Sequence, residues 1–172
     1  KPATLLRPVA LFVCAIAALT ASSYVSVPMY PVPVTMQTLV VLLVGALAGP
    51  RMGTAMVLSW LGLAAAGAPV LSNGGSTAAF VGPTAGYLAS FPIAAFLAGL
   101  AVKTVAKGHI SRFAAFMGAH VVILALGWAW LSTLIGAEAA VAAGVTPFLI
   151  GAVIKSALGA ALMALPGSGD RA

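Results

Sequence analysis

Long apolar stretches alternate with short polar breaks along the chain, and this pattern predicts membrane-spanning helices. A helix needs about 20 mostly apolar residues to cross a hydrocarbon core of about 30 Å. Six such stretches predict an all-α integral membrane protein with one transmembrane domain over residues 1–172. The expected spans cover approximately residues 5–25, 33–49, 52–68, 83–105, 113–135 and 147–165. Pro33, Pro83 and Pro147 fall at expected helix starts, where a missing N–H costs little.

Composition points to lipid as the solvent. Hydrophobic residues make up 62% of the 172 residues and charged residues only 6%, whereas roughly a quarter of the residues are charged in soluble domains. The net charge of +6 comes from eight basic residues scattered between apolar stretches, and such a distribution is not a nucleic-acid-binding patch. We therefore expect the lipid bilayer, and no nucleic acid, as a partner.

The positions of the basic residues predict an orientation in the membrane. If the N-terminus is cytoplasmic, seven of the eight basic residues fall on the cytoplasmic side, as the positive-inside rule requires. These seven are Lys1, Arg7, Arg51, Lys103, Lys107, Arg112 and Arg171. Both termini are then cytoplasmic. Three loops face outward, over about residues 26–37, 69–82 and 136–146, and Glu138 is their only charged residue.

The first two outward loops have features of ordered covers over a ligand pocket. The segment VPMYPVPVTMQT carries three prolines, which keep its chain extended. Twelve residues separate Gln37 from Pro50, about 18 Å of helix, so Thr35 and Gln37 should lie at or below the membrane surface and need polar partners there. In the second loop, Asn73 and two following glycines favour a tight turn. The alternative is that both loops merely connect spans.

The chain lacks the patterns of an enzyme. Its only carboxylates, Glu138 and Asp170, are predicted on opposite sides of the membrane, which leaves no acid–base pair. Neither His109 nor His120 has a cysteine or carboxylate at metal-ligand spacing, and His120 is interpreted as a hydrogen-bonded packing residue. There is no phosphate-binding G-x-x-x-x-G-K-[ST] loop. We expect no catalytic residue, metal or cofactor.

Lys155 lies in the middle of an apolar stretch, TPFLIGAVIKSALGAALMAL. A lysine at a helix centre costs roughly 2.5–3.5 kcal/mol on insertion scales, and such residues usually mark a substrate site. Gly151, Ala152 and Gly159 leave a hollow on the same helix face. Lys155 is thus a candidate ammonium for an anionic group that arrives from outside. The alternatives are snorkelling to the outer interface or an ion pair with Glu138.

Four segments resemble the BioY family in sequence and in order: VPVTMQTLVVLLVGALAGPR, GAPVLSNGG, GPTAGYLASFPIAAFLAG and PFLIGAVIK. The resemblance covers about residues 10–160. These proteins are the biotin-specific substrate-binding (S) components of energy-coupling factor (ECF) transporters. The resemblance implies a six-helix bundle in the cell membrane that holds biotin near its outer face. It also implies two kinds of partner, a transmembrane coupling subunit (EcfT/BioN type) and a pair of cytoplasmic ABC ATPases (EcfA/BioM type).

The resemblance also implies substrate-binding residues. Lys155 matches the family's lysine and suits the valerate carboxylate of biotin. Asn73 offers the donor and the acceptor that the ureido group requires. Four further residues are expected to line or close the pocket, namely Tyr87, Thr84, Gln37 and Thr35. Trp128 or Trp60 is a candidate for stacking on the biotin ring, although ordinary packing or anchoring at the membrane interface is the favoured interpretation of each. The family's pattern has an acidic residue three positions before the lysine, where this chain has Ala152.

Small residues four positions apart allow helix backbones to approach closely in lipid. Gly45 and Gly49 form such a pair in the second span. The first span has two, formed by Cys14, Ala18, Ala17 and Ala21. The resemblance makes this face of the first helix the docking surface for the coupling subunit, and a homo-oligomer is compatible with the same pattern. Two other functions stay open, an S component for another small vitamin and a non-transporting membrane scaffold.

Overall fold

The computed structural model describes residues 3–165, with side chains described from residue 8 onward. Within this part of the chain there are seven α-helices: α1 Ala3–Tyr24, α2 Gln37–Ala48, α3 Pro50–Ala65, α4 Ala85–Thr104, α5 His109–Ile135, α6 Ala137–Gly144 and α7 Thr146–Leu162. A two-stranded antiparallel hairpin, β1 Ser26–Val27 and β2 Val34–Thr35, joins α1 to α2. Two short 3-10 helices, Ser72–Gly74 and Thr77–Phe80, lie between α3 and α4. Lys1, Asp170 and Arg171 lie outside the described residues.

Each of the six expected spans contains a helix, although several helix ends differ from the expected bounds by up to four residues. The helix α2 begins at Gln37, four residues after Pro33, because the intervening residues pair in the hairpin and Met36 N–H donates to the carbonyl of Val25 at 3.0 Å. The segment 136–146, expected to be a loop, is instead mostly helical, since α6 covers Ala137–Gly144. Its sequence AEAAVAAG is rich in alanine, the strongest helix former.

The helix α4 is the centre of the bundle and packs against α2, α3 and α5. Small residues make this close packing possible, since a Cβ on Gly45 of α2 would collide with the backbone of Ala95 on α4. Gly49 has a different role from the one its spacing suggested. Gly49 has a φ of 83°, which is not helical, so α2 ends before it. A Cβ on Gly49 would meet nothing within 4 Å. Of the G-x-x-x-G pair, Gly45 alone is a packing contact.

Two described helices, α4 and α5, are long and apolar enough to cross a membrane. They become three if α6 and α7, which meet at a bend of 41°, count as one span. Residues 8–24 of α1 and the whole of α2 are apolar but shorter. The 12 residues of α2 amount to about 18 Å of helix. The number of spans and the side of the termini stay predictions.

The helix α1 lies at the edge of the bundle, against α2 and α3. Leu19 points inward and is fully buried. The four residues of the expected docking face are all exposed, namely Cys14, Ala17, Ala18 and Ala21. The apolar side chains of Leu11 and Val13 are exposed as well. This side of α1 is therefore uncovered in the described part of the chain.

Candidate ligand-binding site

A cavity of about 220 Å³ lies between the hairpin, the 3-10 helices and the helices α2, α4, α5 and α7. Its wall is mainly apolar, formed by Val32, Pro33, Leu71, Leu88, Phe91, Ile123, Leu124 and Phe148 among others. All six residues expected to bind the substrate line it, namely Lys155, Asn73, Tyr87, Thr84, Gln37 and Thr35. The first two of the expected outward loops, over about residues 26–37 and 69–82, both contribute lining residues. They therefore do more than connect helices. An apolar wall with a few placed polar groups is typical of small-molecule sites.

Lys155 is buried on α7, with 7% of its surface exposed. Its ammonium donates to the backbone carbonyl of Thr35 at 3.0 Å and to Oγ1 of Thr38 at 2.7 Å. Snorkelling is therefore wrong, since hydrogen bonds inside the bundle hold the lysine. The ion pair with Glu138 is wrong too, because that carboxylate is exposed on α6 and does not line the cavity. An ammonium has three N–H donors, and described residues engage two of them.

Thr38 connects Lys155 to a buried histidine. His120, 2% exposed on α5, has Nε2 3.2 Å from Oγ1 of Thr38 and Nδ1 3.1 Å from the carbonyl of Phe116. Since a carbonyl only accepts, Nδ1 carries the proton and Nε2 accepts from the Thr38 hydroxyl. The Thr38 oxygen is then free to accept from Lys155. Ser156 closes this network, with Oγ 3.0 Å from Nδ1.

Thr38 is a site residue that the sequence did not predict, and His120 was expected only to pack with a hydrogen bond. His120 is hydrogen-bonded as expected, but it also lines the cavity. A signal for Thr38 was available, since it follows Gln37 in the first turn of the short helix α2. The contact between α2 and α5 depends on tertiary packing and leaves no such signal in the sequence.

Two buried polar atoms on the cavity lining have no hydrogen-bond partner among the described residues. They are Nε2 of Gln37, a residue only 5% exposed, and Oγ of Ser72. An unsatisfied buried polar group costs about 1–3 kcal/mol, so these atoms are able to bind a polar group of a ligand. The amide of Asn73 makes no hydrogen bond within this part of the chain, but unlike these atoms it belongs to an exposed residue. Its φ of 55° belongs to the tight turn that was predicted.

The remaining three expected residues shape the wall with hydroxyls that are already engaged. Tyr87 donates to the carbonyl of Gly144 at 2.6 Å, and Thr84 to the carbonyl of Ala79 at 3.2 Å. Oγ1 of Thr35 accepts from the backbone N–H of Gln37 at 3.3 Å. Tyr87 and Thr84 therefore present ring and methyl surface rather than free hydroxyl donors, whereas the Thr35 hydroxyl, which accepts in this bond, is still able to donate.

The aromatic residues of the cavity are Tyr87, Phe91 and Phe148. Neither tryptophan that was a candidate for stacking lines the cavity, which agrees with the favoured interpretation that they have other roles. Trp60 stacks behind Phe91, with ring centroids 6.3 Å apart, and Trp128 lies outside the cavity lining, where its indole N–H donates to the carbonyl of Ala137 at 3.2 Å.

Ala152 lines the cavity one turn before Lys155 and is 2% exposed. Among the described residues, no carboxylate lines the site. The lysine therefore faces this cavity without a protein counter-ion. The arrangement suits a small, mostly apolar ligand that carries its own negative charge.

The chain is similar to proteins of known class over nearly its whole described length. The BioY family matches residues 2–166. A probable biotin transporter BioY from Pyrococcus horikoshii is 38% identical over 150 residues, 87% of each chain. A biotin transporter BioY from Rhizobium etli is 39% identical over 163 residues, covering 89% of this chain and 87% of that one.

The fold has a solved counterpart. A crystal structure of the S-component for biotin from an ECF-type ABC transporter superposes with a TM-score of 0.83. The match covers 94% of this chain and 91% of that chain at 24% sequence identity, so it supports the fold. Together with the family match, these findings confirm the resemblance seen in the four sequence segments. The chain belongs to the BioY family.

Proposed function

We propose that this protein is the high-affinity biotin-binding subunit of a vitamin uptake transporter and not an enzyme. The observation that carries the proposal is the buried ammonium of Lys155, which faces an apolar cavity that has no carboxylate among its described lining residues. Burying a charge is costly unless it is paired, and a ligand carboxylate supplies the pair. Relatives that are named biotin transporters support biotin as the acid.

The cavity offers biotin a partner for each of its chemical parts. The carboxylate accepts from the third N–H of Lys155 in a charge-assisted hydrogen bond. The ureido group, which both donates and accepts, meets the unpaired amide of Asn73, with Nε2 of Gln37 as a further donor. The fused ring and the aliphatic chain lie against Phe91 and Phe148. The buried Nε2 of Gln37, which has no partner among the described residues, thereby gains one, and this favours binding.

The proposed membrane arrangement has six spans with both termini cytoplasmic. In it α1 to α5 each form one span, and α6 with α7 forms the bent sixth. The hairpin and the 3-10 helices then lie on the outer side, above the cavity, so biotin enters from outside. The clustering of described basic residues at the opposite ends of the helices supports this orientation.

The proposed partners in the cell membrane are a coupling subunit of the EcfT/BioN type and ABC ATPases of the EcfA/BioM type. The exposed small-residue face of α1 supports this, since Cys14, Ala17, Ala18 and Ala21 leave room for a closely approaching helix. Inward release would follow when the bundle tilts within the complex. The structure of a biotin S-component with the same fold agrees with such an assembly. A homo-oligomer through this face is the competing arrangement.

The test is saturable binding of radiolabelled biotin to the purified protein in detergent. The parent should bind, and Lys155→Met should weaken binding at least tenfold, about 1.4 kcal/mol. Lys107→Met is the matched control, because Lys107 is exposed and donates only to backbone carbonyls outside the cavity. Competition by other vitamins decides the alternative of a different substrate. A folded parent that binds no small acid would favour the scaffold.

A further inference from the structure

A second groove, of about 570 Å³, lies at the other end of α2, where α2 turns into α3 and meets the last turns of α4. Thr38 of the cavity and Leu47 of the groove are nine residues apart on α2, about 14 Å along the helix axis. The groove is therefore separate from the biotin cavity. It belongs to the end of the bundle where the basic residues lie.

Two unpaired cations line this groove. Arg51, in the first turn of α3, and Lys103, in the last turn of α4, are both exposed, and neither has a side-chain partner among the described residues. Two other basic residues nearby, Lys107 and Arg112, do have hydrogen-bond partners. Lys107 donates to the carbonyl of Lys103 at 2.9 Å, and Arg112 to that of Met163 at 2.8 Å. The groove thus contains two positively charged side chains that make no hydrogen bond within the described structure.

The rest of the groove is mainly apolar. Exposed side chains of Leu47, Met52, Phe96 and Leu100 form its walls. Its floor is a close contact between helices, because a Cβ on Gly99 would collide with the backbone of Pro50. No carboxylate lines the groove among the described residues. An occupant must therefore combine an anionic head with an apolar body.

We propose that this groove binds one anionic phospholipid, with its phosphate between Arg51 and Lys103 and an acyl chain along Leu47, Phe96 and Leu100. Arginine holds a phosphate through two parallel hydrogen bonds, and lysine acts as a point charge. Basic pockets between helices on the cytoplasmic side bind phospholipid head groups in other membrane proteins. The inference rests on membrane embedding and on the proposed orientation, and it does not depend on biotin binding.

The test is lipid binding to the purified protein by native mass spectrometry in a nonionic detergent. Phosphatidylglycerol and phosphatidylcholine with the same acyl chains are compared at equal concentrations. The parent should retain phosphatidylglycerol at least tenfold better. Lys103→Gln should reduce this preference several-fold, and the double change with Arg51→Gln should abolish it. Lys107→Gln removes the same charge four residues away and should leave the preference unchanged.

Three results would overturn the proposal. The first is an equal preference for both lipids in the parent, and the second is an unchanged preference in the double variant. The third is displacement of the lipid by glycerol 3-phosphate alone, which would make the groove a site for a soluble phosphate. Thermal unfolding of each variant checks the fold. Because Arg51 and Lys103 make no side-chain hydrogen bonds in the described structure, their variants should melt with the parent.

Discussion

Thr38 is the residue through which the network around Lys155 can be tested most sharply, because one hydroxyl serves two partners. Thr38→Val removes that hydroxyl and keeps the branched shape. The ammonium of Lys155 then loses a hydrogen bond of 2.7 Å, which is worth about 1.5–3 kcal/mol for a charged donor. Nε2 of His120 loses its partner at 3.2 Å and becomes a buried unsatisfied acceptor, at about 1–3 kcal/mol.

We expect the free energy of unfolding of the ligand-free protein to fall by about 2–4 kcal/mol, since water entering the cavity recovers part of both losses. By the scaling known for soluble proteins, this lowers the melting temperature by at least about 4 °C. Thermal unfolding in detergent measures the change. Thr38→Ser keeps the hydroxyl and is the matched control, so it should melt close to the parent.

A double-mutant cycle separates the hydrogen bond lost by Lys155 from the hydrogen bond lost by His120. With His120→Leu in the background, no histidine is left unsatisfied, so Thr38→Val should cost about 1–3 kcal/mol less than it does alone. If Thr38→Val and Thr38→Ser melt at the same temperature, the Thr38 hydroxyl does not stabilise the ligand-free protein. Equal costs of Thr38→Val in both backgrounds would show that the histidine is not part of the network.

Three further predictions follow from single residues. Gly127→Ala should lower the free energy of unfolding by about 1–3 kcal/mol, because the new Cβ collides with the ring of Tyr87. Gly118→Ala is the control, since its Cβ meets nothing within 4 Å and should leave the melting temperature unchanged. Gln37→Leu should weaken biotin binding about tenfold, or 1.4 kcal/mol, and leave ligand-free stability equal or higher, since it removes an unsatisfied amide. Ala18→Leu should reduce co-purification with the coupling subunit and spare biotin binding, while Ala125→Leu, exposed on α5, should spare both.

The helices of the bundle were predictable because apolar stretches of near-span length are separated by glycine, proline and charge. Lys155 was predictable for the same reason, since one charge in an apolar stretch must be explained. The helix α6 was missed because its alanine-rich segment, which contains Glu138, is too short to read as a span. The late start of α2 was missed because a hairpin of two-residue strands has no periodicity to detect.

The hydrogen-bond partners of the site residues were less predictable than the position of the site. Thr38 and His120 are 82 residues apart and meet only because α2 and α5 pack together. Tyr87 and Thr84 were placed on the cavity by resemblance, but their hydroxyls bond to backbone carbonyls of Gly144 and Ala79. Such partners depend on the exact approach of neighbouring segments, which residue types alone do not encode.

If the cavity holds biotin with the carboxylate on Lys155, biotin and its uncharged amide should bind with different affinities. Dissociation constants of both ligands are measured for the parent and for Lys155→Met by isothermal titration in detergent. The parent should bind biotin at least tenfold more tightly than the amide, a difference of about 1.4 kcal/mol. This preference should disappear in Lys155→Met. A parent that binds the amide as well as biotin, or a preference that survives the loss of the lysine, would show that Lys155 does not bind the carboxylate.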